Sequence, residues 1–263
     1  MKARLGQNFL ADQNILRKIV KVVPVDYPVI EVGTGEAALT LFLAQHIQKD
    51  IQSYEIDRMV YEKAKINLIE YNNVTLNNID FLEANLNLTN PHVVIANIPY
   101  YITSPIIDKC LHDENIVDIY IMVQKEIAER IVAPAGGNDY SSFSIFCQTR
   151  ADVKKLFNVS KNCFKPKPKV DSAFIRITPH NRYLAQIENL SLYNSIIRGA
   201  FWGKRKTLFN CLLKSPHISI DKDILLYVFS NISISENIRG ECVNIDTFIT
   251  LSNQINKSIL ASS

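Results

Sequence analysis

The sequence lacks the features of membrane, secreted and metal-binding proteins. No apolar run in the 263 residues reaches the ~20 residues that a membrane-spanning helix needs. The N-terminal segment has no apolar signal-peptide core, so we expect a cytoplasmic protein that does not contact a membrane. The five cysteines are scattered and form no C-x-x-C pair, which favours reduced thiols over disulfides. The five histidines show no ligand spacing, and we therefore expect no metal site.

The residues that are present allow one sizeable core and a small second domain. Hydrophobic residues make up 47% of the chain, which is too many for a disordered protein. The formal net charge is only +3, but basic residues are concentrated in two segments. Either segment alone is typical of a solvated surface, whereas two of them beside a candidate site favour a polyanionic partner such as RNA. The basic residues expected to bind RNA are Lys165 and Lys167 in one segment and Lys204, Arg205 and Lys206 in the other.

Short apolar runs alternate with longer amphipathic runs between Val29 and Val123. This alternation predicts a parallel sheet covered by helices on both faces. In such sheets ligands bind beyond the carboxyl ends of the strands. The predicted strands are Pro28–Val32, Ile51–Glu55, Val74–Ile79, Val93–Asn97 and Ile116–Val123, and the predicted helices are Ala37–His46, Arg58–Tyr71, Pro105–Leu111 and Gln124–Val132.

The remainder of the chain follows a different pattern. Two predicted antiparallel strands flank a proline-rich loop, and from about Ala185 the apolar residues recur at helical spacing. We therefore expect a small C-terminal helical domain that begins between Thr178 and Tyr183. The strands are Leu156–Val159 and Ala173–Ile177, and the expected domains are 1–180, for cofactor binding and catalysis, and 181–263, for RNA recognition.

The segment Gly33-Thr34-Gly35 follows a predicted strand and opens a predicted helix, where glycine permits a tight turn close to a ligand. Together with Ala38 it fits a loose G-x-G-x-x-A pattern, so a dinucleotide-dependent oxidoreductase is an alternative. Glu31, on the strand before the first glycine, would repel a pyrophosphate at the helix N-terminus. The same carboxylate would suit the ammonium and sulfonium charges of S-adenosylmethionine, which Glu31 therefore favours.

Acidic residues follow the next two predicted strands. Glu55 ends the second strand, where a carboxylate can accept hydrogen bonds from both ribose hydroxyls of a nucleoside cofactor. Asp57 is expected to cap the following helix. Asp80 follows the third strand, where it can accept a hydrogen bond from the cofactor's adenine amino group, although an ordinary turn aspartate is the simpler interpretation.

The segment Asn97-Ile98-Pro99-Tyr100 ends a buried predicted strand with groups suited to an exocyclic adenine amine. That amine is a poor nucleophile because its lone pair is delocalised into the ring, so a site must orient it. The Asn97 side-chain carbonyl and the Ile98 backbone carbonyl can each accept one N–H, which aims the lone pair at a methyl group. Pro99 restricts the backbone, and Tyr100 can stack on the base. The segment predicts an adenine N6 methyltransferase, although Asn and Pro are also common turn formers.

These motifs resemble those of the KsgA-type rRNA adenine N6,N6-dimethyltransferases, which have the macrolide-resistance Erm enzymes as relatives. The resemblance covers almost the whole chain. It implies S-adenosylmethionine as the cofactor and a Rossmann-like class I methyltransferase sheet, mostly parallel with one antiparallel strand, followed by a small helical domain. The matched cofactor positions are Gln7, Asn8 and Leu10 in the N-terminal motif, then Gly33, Glu55, Asp80 and Asn97, and Gly35 belongs to the same glycine loop.

The resemblance also assigns two aromatic residues to the target base. Tyr100 matches a base-stacking aromatic, and Phe164 would provide a second stacking face. Phe164 opens the segment Phe164–Ser172, a proline-stiffened basic loop. Such a loop with an aromatic tip suits a flipped base and its phosphates.

The C-terminal part of the resemblance separates two branches of the family. Phe201–Asn210 resembles the F-x-x-R-[RK]-K-T-L-x-N helix of KsgA-type enzymes, and Arg239-Gly240-Glu241 with Phe248 resembles their final helices. Erm enzymes, which act on large-subunit rRNA, lack a clear equivalent. The resemblance therefore implies that a monomer dimethylates two adjacent adenosines in a hairpin loop near the 3′ end of small-subunit rRNA, within an immature ribosomal subunit.

Two departures from the family pattern affect details of the site. Ala37 stands where a third glycine is usual, and Gly203-Lys204 stands where a Gln-Arg pair is usual. The first departure would reshape the cofactor loop slightly, and the second bears on RNA contacts rather than on the reaction. Besides the oxidoreductase, two other interpretations stay open: an Erm-like enzyme, and a methyltransferase-like fold that serves mainly as an RNA-binding assembly or transcription factor.

Overall fold

The computed structural model describes residues 8–203 and 205–262 and contains the predicted alternation of strands and helices. Gln7 and Lys204 lie outside the described residues. The strands are β1 (Phe9–Leu10), β2 (Val29–Val32), β3 (Ile51–Tyr54), β4 (Val74–Asn77), β5 (His92–Ala96), β6 (Ile116–Gln124), β7 (Ala151–Val159), β8 (Phe164–Lys165) and β9 (Ser172–Pro179). The helices are α1 (Gln13–Val20), α2 (Ala38–His46), α3 (Arg58–Asn67), α4 (Thr103–Leu111), α5 (Lys125–Val132), α6 (Ser142–Arg150), α7 (Leu190–Ala200), α8 (Leu208–Lys214), α9 (Lys222–Asn231) and α10 (Ile245–Ser262). None of these helices is long and apolar enough to cross a membrane.

Seven strands form a sheet with the order β4-β3-β2-β5-β6-β9-β7. Neighbouring strands from β4 to β6 pair in parallel, and β9 pairs antiparallel with β6, with Ile175 opposite Ile121. Parallel neighbours need long crossover connections, which α2 and α3 supply between β2, β3 and β4. The predicted fold class, a mostly parallel sheet with an antiparallel strand and C-terminal helices, is confirmed.

The central strands are apolar because helices cover both faces of a parallel sheet. All residues of β2 and of β5 are buried. Val93 and Ile95 of β5 pack in one cluster with Leu43 of α2 and Ile19 of α1. Full burial of an aliphatic side chain of this size contributes roughly 1.5–3 kcal/mol. This packing holds the carboxyl ends of the strands in place, where the candidate site lies.

The chain divides into two compact units, and the second has a core of its own. Apolar side chains from α7, α8, α9 and α10 form that core. The segment Glu129–Val153 lies within the predicted first domain, 1–180, but belongs to the second unit. The assignment of 1–180 to cofactor binding and of 181–263 to RNA recognition stays a prediction. The first unit consists of Met1–Ala128 and Lys154–Pro179, and the second of Glu129–Val153 and His180–Ser263.

Three features of the structure are absent from the sequence-based prediction. The helix α1 begins after Asp12, whose side chain caps it. The helix α6 begins with a capping box formed by Ser141 and Ser144. The strands β1 and β8 form a separate antiparallel pair in which Leu10 lies opposite Phe164. Strands of two residues are too short to show a periodic pattern.

Candidate active site

A cavity of about 470 Å³ opens at the carboxyl ends of β2, β3, β4 and β5. This volume is typical of small-molecule sites. Because parallel strands end at the same edge of a sheet, the loops after all four strands contribute to one wall. The segment around β1, a residue of β8 and the residues Tyr101, Ile102 and Ile106 also line the cavity. The predicted site residues on the wall are Asn8, Leu10, Gly33, Gly35, Glu55, Asp80, Asn97, Ile98, Pro99 and Lys165.

Glycines allow the loop between β2 and α2 to approach the segment after β5. Gly33 has a φ of +83° and Gly35 a φ of +58°, a region that other residues rarely adopt. A Cβ atom at Gly33 would lie 3.1 Å from Cγ2 of Ile98 and 3.2 Å from the backbone oxygen of Asn97. The missing side chain at Gly33 therefore lets the glycine loop lie directly against the Asn97 segment.

Ala37, which replaces the usual third glycine, adopts a left-handed conformation. Its φ is 69° and its ψ is 19°, and it is fully buried at the start of α2. This conformation costs an L residue roughly 1–2 kcal/mol. The backbone N–H of Ala37 donates to the Thr34 carbonyl at 3.0 Å, and its carbonyl accepts from the N–H of Leu41 at 3.0 Å. The loop thus keeps a backbone conformation suited to glycine.

Glu31 lies beneath the glycine loop and does not line the cavity. Its residue is 1% exposed, and its Oε2 accepts hydrogen bonds from Thr40 Oγ1 at 2.7 Å and Ser53 Oγ at 2.6 Å. Its Oε1 is buried without a partner among the described residues. Burial raises the pKa of Glu31 to about 7, although the two hydroxyl hydrogen bonds act in the opposite direction. Because α2 and β3 hold this carboxyl, the structure does not support the expected contact with a cationic cofactor.

Glu55 lies on the cavity wall directly after β3. Its Oε2 accepts from the backbone N–H of Gly35 at 2.9 Å, and its Oε1 accepts from that of Asp57 at 2.9 Å. Burial raises the pKa of Glu55, while these backbone hydrogen bonds lower it. The carboxylate is therefore held between Gly35 of the glycine loop and Asp57 at the start of α3. Asp57 caps α3, as predicted, by accepting from the N–H of Met59 at 2.8 Å.

The turn after β4 presents Asp80, Phe81 and Leu82 to the cavity. Oδ1 of Asp80 accepts from the N–H of Leu82 at 2.9 Å, so this aspartate stabilises the turn. Phe81 is buried, and its ring meets that of Tyr54 edge to face at a centroid distance of 5.5 Å. An apolar wall with a carboxylate beside it suits a purine ring that carries an amino group. The adenine contact of Asp80 stays a prediction.

Asn97, Ile98 and Pro99 follow β5 directly and line the cavity. No described residue forms a hydrogen bond with the Asn97 side chain, which is only partly buried. Pro99 has a φ of −56° and a ψ of 135° and precedes the short helix Tyr100–Ile102. An amide without a protein partner on a cavity wall is available to a ligand.

Neither predicted stacking aromatic lines the cavity. Tyr100 is half-buried, its hydroxyl lies 2.7 Å from Oγ of Ser172, and burial raises the pKa of Tyr100. Phe164 is only 3% exposed and packs in the core with Leu10. The expectation of an exposed aromatic tip is therefore wrong. Because β8 pairs with β1, Phe164 lies opposite Leu10 and is buried. Base stacking by either ring stays a prediction.

The described basic residues that were predicted to bind RNA are all exposed. Lys165 and Lys167 belong to the first unit, and Lys165 also lines the cavity. Arg205 and Lys206 belong to the second unit, where Nζ of Lys206 lies 4.4 Å from the ring centroid of Trp202. Their exposure leaves these cations accessible to a polyanion, and RNA binding stays a prediction.

The cavity wall also includes residues that were not predicted from the sequence. Thr34, Ile56 and Phe81 each follow a strand closely, so the rule that ligands bind at strand ends could have identified them. Tyr101 also lines the cavity and is 69% exposed, whereas the predicted Tyr100 beside it does not line the cavity. The sequence alone does not show which of two adjacent tyrosines reaches a cavity.

The chain is similar to known proteins over almost its whole length. A family model described as ribosomal RNA adenine dimethylase matches residues 1–257. The ribosomal RNA small subunit methyltransferase A of Caldanaerobacter subterraneus subsp. tengcongensis is 37% identical over 264 residues, which cover 97% of each chain. A dimethyladenosine transferase from Plasmodium falciparum is similar in structure, with a TM-score of 0.81 and 27% identity over 95% of this chain and 98% of that one. The 23S rRNA methyltransferase ErmE has a TM-score of 0.70 and 27% identity over 95% of this chain and 100% of its own.

Proposed function

Because the chain belongs to the ribosomal RNA adenine dimethylase family, we propose that it dimethylates N6 of two adjacent adenosines near the 3′ end of small-subunit rRNA, with S-adenosylmethionine as the methyl donor. The similarity to a relative named for the small ribosomal subunit supports this substrate over large-subunit rRNA. The observation that carries the proposed chemistry is the Asn97 side chain, which lies on the cavity wall without a partner among the described residues.

The cavity residues fit S-adenosylmethionine, which when bound supplies a methyl group on a positively charged sulfur. Glu55 is oriented by backbone hydrogen bonds from Gly35 and Asp57, and its carboxylate oxygens are the acceptors for the ribose hydroxyls. Phe81 offers an apolar surface to the adenine, and Asp80 accepts from its amino group. Asn8 and Leu10 contact the cofactor from the β1 side.

The choice between this cofactor and a dinucleotide no longer depends on Glu31. Its carboxyl lies beneath the loop, so it does not meet a bound phosphate or sulfonium directly. Family membership supports S-adenosylmethionine instead. The oxidoreductase hypothesis keeps only the loose glycine pattern in its favour.

The Asn97 segment performs the proposed chemistry by orienting the target amine. The side-chain carbonyl of Asn97 accepts one N–H of adenine N6, and the backbone carbonyl of Ile98 accepts the other. These two acceptors turn the nitrogen lone pair toward the methyl group. Pro99 holds the Ile98 carbonyl in place, and Gly33 allows the cofactor loop to lie within contact of the same segment. The surplus proton leaves to water after the transfer.

The proposed partner is rRNA within an immature small subunit, bound by a monomer in the cytoplasm. The exposed lysines Lys165 and Lys167 support contact with phosphates near the cavity, since Lys165 itself lines it. Arg205 and Lys206 supply exposed cations on the second unit. Binding through such side chains is expected to weaken as the salt concentration rises.

The test is methyl transfer from labelled S-adenosylmethionine to immature small subunits and, separately, to large-subunit rRNA. We expect dimethyladenosine in the small-subunit rRNA only. Mass spectrometry of rRNA from cells with and without the protein should locate it at two adjacent positions. Modification of large-subunit rRNA alone would indicate an Erm-like enzyme. Tight rRNA binding without transfer would indicate an assembly factor, and binding of NAD without S-adenosylmethionine an oxidoreductase. Each of these three results would overturn the proposal.

A further inference from the structure

Lys109 links the helix that follows the Asn97 segment to the turn that follows β4. Its Nζ donates hydrogen bonds to three backbone carbonyl oxygens, those of Phe81 at 2.7 Å, Leu82 at 3.0 Å and Ala84 at 2.5 Å. The same Nζ lies 5.1 Å from the centroid of the Phe81 ring. A lysine ammonium has three donors and no acceptor, so one turn uses its whole hydrogen-bonding capacity.

The face of α4 that carries Lys109 also lines the cavity. Ile106 is a wall residue, and Lys109 follows it by three positions, so both lie on one face of α4. Ile102, which directly precedes the helix, is also a wall residue. The helix begins directly after the short helix Tyr100–Ile102. One face of α4 therefore connects the amine-orienting segment at Asn97 to the turn that is proposed to bind adenine.

The turn after β4 depends on a partner outside itself. Asp80 closes it from within, since its backbone carbonyl accepts from the N–H of Ala84 at 3.0 Å and its side chain accepts from that of Leu82 at 2.9 Å. These bonds do not involve the carbonyl of Leu82, which Lys109 satisfies. Charge-assisted hydrogen bonds are roughly twice as strong as neutral ones. The ammonium therefore adds three hydrogen bonds to those that the turn forms within itself.

We propose that Lys109 is a positioning residue that holds the turn of Asp80, Phe81 and Leu82 in its adenine-binding form. In this way it sets both the affinity for the cofactor and the selectivity for its adenine base. The inference rests on the proposed function, because it assigns this turn to the adenine of S-adenosylmethionine. Lys109 itself does not line the cavity, so it acts through the turn.

The test compares the binding of S-adenosylhomocysteine with that of S-inosylhomocysteine, in which an oxo group replaces the adenine amino group. Both affinities are measured by calorimetry on the full chain. For Lys109→Met we expect S-adenosylhomocysteine to bind about tenfold more weakly, and the preference over the inosine analogue to fall by about the same factor. The KM for rRNA should not change. Lys109→Arg, which keeps the charge and several donors, should recover most of the preference.

Lys18→Met is the matched control. Nζ of Lys18 lies 4.1 Å from the ring centroid of Phe157 in the same unit, and neither residue lines the cavity, so this variant should bind both ligands as the wild type does. The inference is overturned if Lys109→Met binds S-adenosylhomocysteine within about twofold of wild type, or if it loses both ligands equally. If Lys109→Met does not fold, Lys109→Gln, which retains two donors, is tested in the same way. Failure of the wild type to bind S-adenosylhomocysteine would instead refute the proposed function.

Discussion

The side of the cavity that is proposed to bind the cofactor and the side that is proposed to bind the target base differ in how the protein holds their residues. On the cofactor side, backbone hydrogen bonds hold Glu55 and close the turn of Asp80 on the cavity wall. On the base side, Asn97 lies on the wall, but Tyr100 is bonded to Ser172 and Phe164 is packed in the core.

The two sides differ because the segments that form them are separated by different distances along the chain. Glu55 and Asp80, which are proposed to bind the cofactor, follow the strands β3 and β4 of one sheet, so the sheet alone brings them together. The aromatic rings depend on contacts between remote segments, such as the hydrogen bond that joins Tyr100 and Ser172 across 72 residues. Site residues that directly follow strands are therefore easier to place from sequence than aromatic residues whose position depends on segments distant in the chain.

Phe164→Ala tests whether Phe164 stabilises the core, and it should have the largest effect of the variants considered. Truncating a buried phenylalanine typically lowers the free energy of unfolding by about 3–5 kcal/mol. Because Phe164 is 3% exposed, we expect a loss in this range in denaturant titrations. Phe164→Leu, the control, should lose less than about 1.5 kcal/mol. Unchanged stability together with lost methyl transfer would mean that Phe164 serves the base and not the core.

Asn97→Ala tests the one base-side residue that lies on the cavity wall. Removing an oriented acceptor of this kind should lower the rate of methyl transfer about 10²–10³-fold, or ~3–4 kcal/mol in the activation barrier. Stability should change little, since no described residue bonds to this side chain. Single-turnover transfer of a labelled methyl group measures the rate. Full activity in Asn97→Ala would refute the orienting mechanism.

Glu31→Gln tests how the buried Glu31 carboxyl makes the stability of the protein depend on pH. Burial raises the pKa of Glu31 from 4.5 to about 7, so the folded protein binds this proton more tightly than the unfolded chain does. The resulting stabilisation is complete below pH 4.5 and is lost as the pH rises through 7. Relative to wild type, the free energy of unfolding of Glu31→Gln should rise by about 3 kcal/mol over this window. A difference independent of pH would show that Glu31 titrates normally.

Gly33→Ala and Gly136→Ala form a matched pair, since both glycines have a φ of +83°. Backbone strain should destabilise each variant by roughly 1–2 kcal/mol. Only at Gly33 would the new Cβ meet other atoms, because nothing lies within 4 Å of the corresponding position at Gly136. We therefore expect Gly33→Ala alone to weaken cofactor binding, about tenfold by calorimetry. Equal cofactor affinity in both variants would show that the close approach of Gly33 is unimportant.

Ala37→Gly should have the smallest effect and the opposite sign. Relief of the left-handed conformation at φ 69° is partly offset by the greater freedom of glycine in the unfolded chain, which leaves a stabilisation of about 0.5 kcal/mol. Thermal unfolding measures it. Destabilisation would mean that packing of the Ala37 methyl group against Ala64 and Leu68 outweighs the strain.

Most of the sheet could be predicted from apolar periodicity, and the errors have physical causes. The predicted strand Val93–Asn97 is observed at His92–Ala96 because Asn97 turns out of the sheet onto the cavity wall. The helix predicted from Ala37 begins at Ala38 because Ala37 is its left-handed cap. The pair of β1 and β8 was not predictable, since two residues have no period and their partners lie far apart in the chain.

The sequence by itself determined the alternation of strands and helices from β2 to α5, the glycine loop, the acidic residues at strand ends and the Asn97 segment. These features depend on local periodicity and on residue type, which a single chain displays directly. Only the tertiary structure decided that Glu31 does not line the cavity, that Phe164 packs in the core and that Lys109 donates hydrogen bonds to the turn after β4. Each of these outcomes depends on contacts between segments distant in the chain, and periodicity carries no information about such contacts.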